Sequence, residues 1–251
     1  MKKNNVLIFS LMVLGVAALL AFAPSPQKAN PALTGAWQQQ EDGGEDVLLF
    51  MDGYCTQTKY KKGDKQFVMS RGGVYKTIGN SAMTLKLEFD TENKDRVGQT
   101  FNAQYKIDGD KLTITIGDDS ETFRRVDDGK APLAGVWRIT DRMQDGKMTP
   151  IHQTGPRKTL KILTGTRFQW AAINPETKEF SGTGGGTYTF ANGKYTENIE
   201  FFSRDNSRVG ASLTFDGKLE NGAWHHSGLS SRGEPINEIW GRVQQNASNP
   251  F

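Results

Sequence analysis

Short apolar segments, separated by glycine-rich turns, follow one another along residues 33–243. Apolar and polar residues alternate within them, and no stretch keeps a helical period over a useful length. Val47–Phe50 precedes Asp52-Gly53, and Leu160–Leu163 precedes Thr164-Gly165, as in β-hairpins. Many short strands at a spacing of about 8–12 residues indicate an antiparallel barrel or sandwich. The pattern therefore predicts an all-β fold.

The strand pattern occurs twice, because the chain contains an internal duplication. Five segments recur in the same order, at offsets of 100 to 117 residues: Leu33–Trp37 with Leu133–Trp137, Gly72–Tyr75 with Gly185–Tyr188, Glu88-Phe89 with Glu200-Phe201, Arg96–Gly98 with Arg208–Gly210, and Phe123–Val126 with Trp240–Val243. A preserved order with a changing offset indicates duplication followed by loop insertion. We therefore predict one domain at residues 33–130 and a second at 131–251, with a long inserted loop at Thr140–Lys158.

The N-terminal segment has the features of an export signal. Two lysines precede the uncharged run Val6–Ala23, which is typical of a secretory signal and borderline in length for a membrane span. Small residues at Ala21 and Ala23 favour cleavage, but Pro24 follows them directly and disfavours it. Residues 1–23 are thus either a cleaved signal peptide or an uncleaved anchor, and the proline-rich residues 24–32 are a linker. Both alternatives predict an exported protein, periplasmic or secreted.

Charge and cysteine content narrow the function classes. The formal net charge is +3, two units of which belong to the lysines of the N-terminal segment. No basic stripe interleaved with aromatic residues is present, so we expect no nucleic-acid partner. The chain has one cysteine, Cys55, and therefore no intrachain disulfide. We read Cys55 as a small strand residue.

Two residues in each copy carry a family resemblance. A Gly-x-Trp motif on the first strand and an arginine on the last strand resemble the lipocalin and calycin barrels. The resemblance implies that the arginine packs across the tryptophan at the closed end of each barrel, with a cation–π contribution. The residues concerned are Trp37 with Arg125 or Arg124, and Trp137 with Arg242.

The segment Gly185–Phe201 is similar to the central part of uncharacterised secreted bacterial proteins with lipocalin-like domains. This resemblance implies two tandem lipocalin-like antiparallel β-barrels and a general capacity to hold ligands. It brings no known reaction, and a fold alone does not supply a function.

The duplication offers an internal comparison that points to the second copy. Met83 and Leu85 of the first copy correspond to Tyr195 and Glu197 of the second, on the strand face that should point into the barrel. A buried carboxylate is costly unless it is paired. Glu197 is therefore satisfied by Tyr195, an arginine or a backbone N–H, or it is a polar anchor for a ligand, or it is a catalytic acid or base.

Five further residues are weaker candidates for the same ligand site. Phe168 and Trp170 share a strand face, as do Trp224 and His226, although alternating aromatics more often form a core. Arg208 could pair with a carboxylate. His225 and His226 face opposite ways and no ligand cluster completes a metal site, so we expect neither a metal nor a cofactor.

These features predict an exported, non-catalytic protein that binds a small, mostly apolar molecule in the second barrel. The inserted loop would lie near the mouth of that barrel as a lid. One alternative is a structural or interaction module of the cell envelope with both barrels filled by side chains. Another is a lipocalin-like enzyme acting on a hydrophobic substrate. A membrane would be contacted only through an uncleaved N-terminal segment, and the oligomeric state stays open.

Overall fold

A computed structural model describes residues 30–41, 43–151 and 153–243. The predicted signal or anchor at 1–23 and most of the linker at 24–32 lie outside these residues. The chain is nearly all β, with 67% of residues in strands and 3% in helices, and forms two closed antiparallel eight-stranded barrels in tandem. This confirms the predicted fold class and fits a lipocalin-like fold. No helix in the described part is long and apolar enough to cross a membrane.

The first barrel is an up-and-down meander that closes when its last strand pairs with its first. A short 3-10 turn, Lys94–Arg96, follows the fifth strand. The strands are β1 (Gly35–Glu41), β2 (Gly44–Met51), β3 (Tyr54–Lys61), β4 (Gln66–Ile78), β5 (Ala82–Asp90), β6 (Thr100–Asp108), β7 (Lys111–Ile116) and β8 (Asp119–Asp127).

The second barrel repeats this arrangement with one added strand. Its strands are β9 (Gly135–Gln144), β10 (Lys147–Pro150), β11 (Lys158–Leu163), β12 (Arg167–Asn174), β13 (Glu179–Ala191), β14 (Lys194–Phe202), β15 (Ser212–Glu220), β16 (Ala223–Leu229) and β17 (Pro235–Arg242). The barrel closes through β9 and β17, and a 3-10 turn, Asn206–Arg208, follows β14. Strand β10 pairs only with the far end of β9. The insertion predicted as a long loop is therefore partly a hairpin.

One end of each barrel is closed by an arginine over a tryptophan. The Arg125 guanidinium carbon lies 3.8 Å from the ring centroid of Trp37, and that of Arg242 lies 4.2 Å from the ring centroid of Trp137. The Trp37 indole donates to the carbonyl of Leu33 at 2.9 Å. The predicted contact is present in both copies, with Arg125 rather than Arg124 in the first. Each arginine also donates to carbonyls of the segment before its tryptophan, which ties the last strand to that segment.

The outer faces of the two barrels pack against each other. On β2, Leu48 and Phe50 point into the first barrel, whereas Val47, Leu49 and Met51 point outward. The outward residues form one apolar cluster with residues of the second barrel, and all its members are buried. The second barrel contributes Ala134, Val136, Leu160, Ile162 and Phe201. Strand β2 is consequently buried on both faces from Val47 to Met51.

Buried polar groups at this interface are paired across it. Glu200 accepts hydrogen bonds from the Tyr60 hydroxyl at 2.7 Å and from Arg167 at 2.9 Å. Burial alone would raise the pKa of Glu200, but Arg167 and the hydrogen bonds lower it below its usual value. Lys158 donates to Glu88 at 2.7 Å, with both side chains buried. These pairs orient one barrel on the other.

The linker between the barrels is fixed by Asp127 at the end of β8. Its carboxylate accepts hydrogen bonds from the backbone N–H groups of Gly165 and Thr166 and from the Thr164 hydroxyl, at 2.8 to 3.0 Å. The pKa of Asp127 is lowered because these bonds outweigh the effect of burial. The last strand of the first barrel therefore binds the β11–β12 turn of the second.

We expect Ile162→Ala to lower the free energy of unfolding by about 2–5 kcal/mol, because Ile162 is fully buried between the barrels. Guanidinium unfolding followed by tryptophan fluorescence and far-UV circular dichroism measures this change. Leu229→Ala is the control, since Leu229 is 59% exposed, and should stay within about 0.5 kcal/mol of the wild type. Equal effects of the two substitutions would mean that this face does not join the barrels.

Candidate functional site

Glu197 points into the second barrel, where it forms a buried ion pair. Its carboxylate accepts a hydrogen bond from the Lys161 ammonium at 2.7 Å and one from the Tyr195 hydroxyl at 2.9 Å. The side chains of Lys161 and Glu197 are each 7% exposed. The sequence suggests Tyr195 as a hydrogen-bond partner of Glu197, but it does not suggest Lys161. Glu197 thus has its hydrogen-bond partners within the barrel.

Aromatic rings surround the Lys161 ammonium. Its nitrogen lies 5.2 to 5.8 Å from four ring centroids, within cation–π range. The rings are those of Phe168, Tyr195, Trp224 and Trp240. Three of the residues predicted to bind a ligand therefore converge, but they converge on a side chain of the protein itself.

His226 belongs to the same interior and is 3% exposed. Its ring centroid lies 4.3 Å from that of Phe215, and its Nδ1 lies 3.7 Å from a Glu238 carboxylate oxygen. Burial lowers the pKa of His226, although Glu238 opposes this effect. Glu238 also accepts hydrogen bonds from Arg142 at 3.0 Å and from the Trp240 indole at 3.1 Å. His226 is neutral at neutral pH.

Trp170 and Arg208, the remaining predicted residues, have separate roles. Trp170 packs edge-to-face on Phe202, with ring centroids 5.4 Å apart, and borders the core of the second barrel. Arg208 lies in the 3-10 turn after β14 and donates to Asp205 at 2.9 Å and to the carbonyl of Ser231. Arg208 thus pairs with a carboxylate, as the sequence suggests, but that carboxylate belongs to Asp205 and not to Glu197, because the turn directs the side chain there.

The inserted segment contributes to filling the second barrel. After the β9–β10 hairpin, the Ile151 N–H donates to the carbonyl of Thr140 at 2.7 Å, and the Ile151 side chain packs against the barrel core. Among the described residues, no group of three or more His, Cys, Asp or Glu side chains is placed to hold a metal ion.

A cavity of about 70 Å³ lies in the first barrel. Most of its wall is apolar, and Gln57, Arg71 and Glu121 supply polar groups. The apolar wall includes Leu48, Met83, Leu85, Phe101, Ala103 and Ile114. Neither Glu197 nor Tyr195 borders this cavity, because they lie in the other barrel.

Side-chain volume explains why the two barrels differ. In the first barrel, Trp37 lies opposite Leu48 on the next strand, and Leu48 lies opposite Gln57 on the one after it. In the second barrel, Trp137 lies opposite Lys161, and Lys161 lies opposite Trp170. Following the registers strand by strand, Tyr105 and Phe50 of the first barrel correspond to the smaller Gly217 and Leu163. At five other inward positions, however, the second barrel has the larger residue. The pairs are Cys55 with Phe168, Gln57 with Trp170, Ala103 with Phe215, Leu112 with Trp224, and Phe123 with Trp240.

A hydrogen-bonded polar group borders the cavity. Gln57 donates to Asp46 at 2.9 Å and receives a hydrogen bond from the Arg71 Nε, also at 2.9 Å. Lys59 lies 3.3 Å from Asp46 and 3.2 Å from Glu121. Burial raises the pKa of Asp46, although Lys59 and Gln57 oppose this. A mostly apolar hollow with a few placed polar groups is typical of a small-molecule site.

Sequence comparison directed attention to the second barrel, whereas the cavity described above lies in the first. The replacement of Leu85 by Glu197 is evident from the aligned strands. A second replacement lies on β11, where Lys161 occupies the position that Leu48 has in the first barrel. That second replacement signals an internal ion pair. The first-barrel residues Arg71 and Gln57 were also missed. The match of Gly72 with Gly185 already aligns Arg71 with Gly184, whereas Trp170, the counterpart of Gln57, is identified only from the strand register.

Cys55 lines the same cavity and is buried. Burial raises the pKa of its thiol to about 12, although the charge of Arg71 opposes this. The thiol therefore stays protonated at neutral pH and unreactive, in line with its reading as a small strand residue.

The internal ion pair can be tested with a double-mutant cycle. Lys161→Met and Glu197→Leu should each lower the free energy of unfolding by about 3–5 kcal/mol, because each leaves one buried charge alone. The double variant should be close to the wild type, since the first barrel already carries apolar residues at these positions. Denaturant unfolding measures all four proteins. Additive losses in the double variant would contradict the pairing.

Comparison with known proteins finds a family similarity in the second barrel. The family described as Domain of unknown function (DUF4488) has a model that matches residues 132–251, which contain all of that barrel. A search of curated proteins found no match to the chain. The second half of the chain is therefore similar to a family for which no activity is stated.

Proposed function

We propose that the protein is an exported, non-catalytic binding protein of lipocalin-like descent, and that it holds a small, mostly apolar molecule in the first barrel. The observation that carries this proposal is the apolar cavity of about 70 Å³ behind Leu48, Met83 and Ala103. An eight-stranded barrel can be filled by side chains or can hold one small ligand. In this proposal, side chains fill the second barrel and the first barrel holds the ligand.

The chemistry of the cavity wall supports binding. Mostly apolar cavities take up small apolar molecules. The nearby Arg71, Gln57 and Glu121 provide a donor and acceptors that would orient a bound molecule. Half-buried Leu85, Phe101 and Ile114 stand beside the 43% exposed Ile116, so apolar surface continues from the cavity wall towards solvent.

The second barrel supports a structural role in the same proposal. Its interior is occupied by the Lys161–Glu197 pair and by large aromatic side chains. Its outer face buries the apolar surface of β2. This reverses the expectation from the sequence, in which the second copy binds and the first supports it.

Export and family descent rest on the sequence. The lysines and the apolar run of residues 1–23 support export. The arginine that packs over a tryptophan at one end of each barrel supports descent from lipocalins.

We expect isobutanol, a small neutral probe, to shift the methyl NMR signal of Met83 in a saturable way when added to the full chain. Ala103→Phe should abolish this response, because phenylalanine fills the equivalent position, Phe215, in the second barrel. The Lys161→Met, Glu197→Leu double variant is the matched control and should respond like the wild type. A response lost in the control and kept in Ala103→Phe would assign binding to the second barrel, and no response in any protein would contradict the proposal.

A further inference from the structure

We propose that the ligand of the first barrel is a small organic acid, whose carboxylate binds Arg71 and whose short apolar end enters the cavity. This inference rests on the proposed function, because it names the ligand class of the same cavity. It adds a charged recognition element that the apolar wall alone does not require.

Arg71 is held in place at the cavity wall by one edge of its guanidinium. It lies on β4, borders the cavity and is half-buried. Its Nε donates to the Gln57 side-chain oxygen at 2.9 Å. This bond leaves the two terminal nitrogens available at the other edge.

The orientation of Gln57 is itself fixed. Its amide nitrogen donates to both carboxylate oxygens of Asp46, at 2.9 and 3.1 Å, so its oxygen must face Arg71. Asp46 is 2% exposed and Gln57 is 7% exposed, which limits the movement of both. The hydrogen bonds from Gln57 to Asp46 and from Arg71 to Gln57 thus position the Arg71 guanidinium before any ligand binds.

The charge of Arg71 has no carboxylate partner among the described residues. Among these residues, Arg71 forms no salt bridge, and its terminal guanidinium nitrogens donate no hydrogen bond. Asp90, which faces Arg71 in the strand register, lies 3.4 Å from Arg96 instead. Glu121 is paired with Lys59 at 3.2 Å and accepts a hydrogen bond from Gln57. Two guanidinium N–H groups side by side match the two oxygens of a carboxylate.

The fold itself does not need an arginine at this position. The equivalent residue of the second barrel is Gly184, and a Cβ there would lie 2.8 Å from the Trp170 indole nitrogen. The filled barrel thus has an indole where the hollow barrel has a guanidinium. Arg71 is therefore specific to the barrel that contains the cavity.

The size of the cavity limits the acid. A volume of about 70 Å³ is roughly half that of an engineered cavity that binds benzene. It suits an apolar end of about three to five carbon atoms. Long-chain acids would not fit without rearrangement of the wall.

Isothermal titration calorimetry with the full chain tests this inference. Isovalerate should bind about ten- to a hundredfold more tightly than isovaleramide, which has the same shape but no charge. Arg71→Gln should remove this preference and leave the weaker binding of isovaleramide in place. Arg124→Gln removes an exposed arginine of β8 and should leave the preference unchanged.

Two outcomes overturn the inference and are distinct. Equal affinity of the wild type for isovalerate and isovaleramide would refute the carboxylate while leaving an apolar binding cavity. Failure of isovalerate, isovaleramide and isobutanol alike to bind would refute the proposed function together with it. The comparison of acid and amide on the wild type does not depend on whether Arg71→Gln folds.

Discussion

The interior volume of a closed eight-stranded barrel is the constraint on which the rest of this structure depends. The interior of such a barrel is just wide enough for inward side chains to fill, so their summed size decides whether it is solid or hollow. In the second barrel Phe168, Trp224 and Trp240 fill the space around the Lys161–Glu197 pair. In the first, Cys55, Ala103 and Phe123 leave a cavity.

The barrels also share an interface, and a strand that lies in it needs apolar residues on both of its faces. Strands β2 and β11 present one face to their own barrel and the other to the neighbouring barrel. Alternation of apolar and polar residues is therefore lost on β2, where Val47 to Met51 are all buried. The filled barrel provides a rigid support for the hollow one, and the polar pairs Tyr60–Glu200 and Glu88–Lys158, which cross the interface, fix their orientation.

Local pattern and duplication were enough to predict an all-β fold in two copies, and the resemblance to lipocalins added the tandem barrels and the arginine over each tryptophan. They were also enough to direct Glu197 inward, because strand faces alternate. The hollow barrel could not be predicted in this way, since a cavity depends on residues from strands that are distant in sequence. The buried position of Lys161 could have been predicted from the sequence, because Lys161 aligns with the core residue Leu48 of the first copy. The choice of Asp205 as the carboxylate partner of Arg208 was beyond the strand pattern, because a 3-10 turn sets the direction of that side chain.

The central claim is that the first barrel is hollow and that side chains fill the second. Methyl NMR of the full chain under xenon pressure tests it most directly, since xenon enters apolar cavities without needing a polar partner. The account predicts shift changes at Met83, Leu85 and Ala103 and none at Ile199 or Leu213 of the second barrel. Changes confined to the second barrel, or none in either, would contradict it.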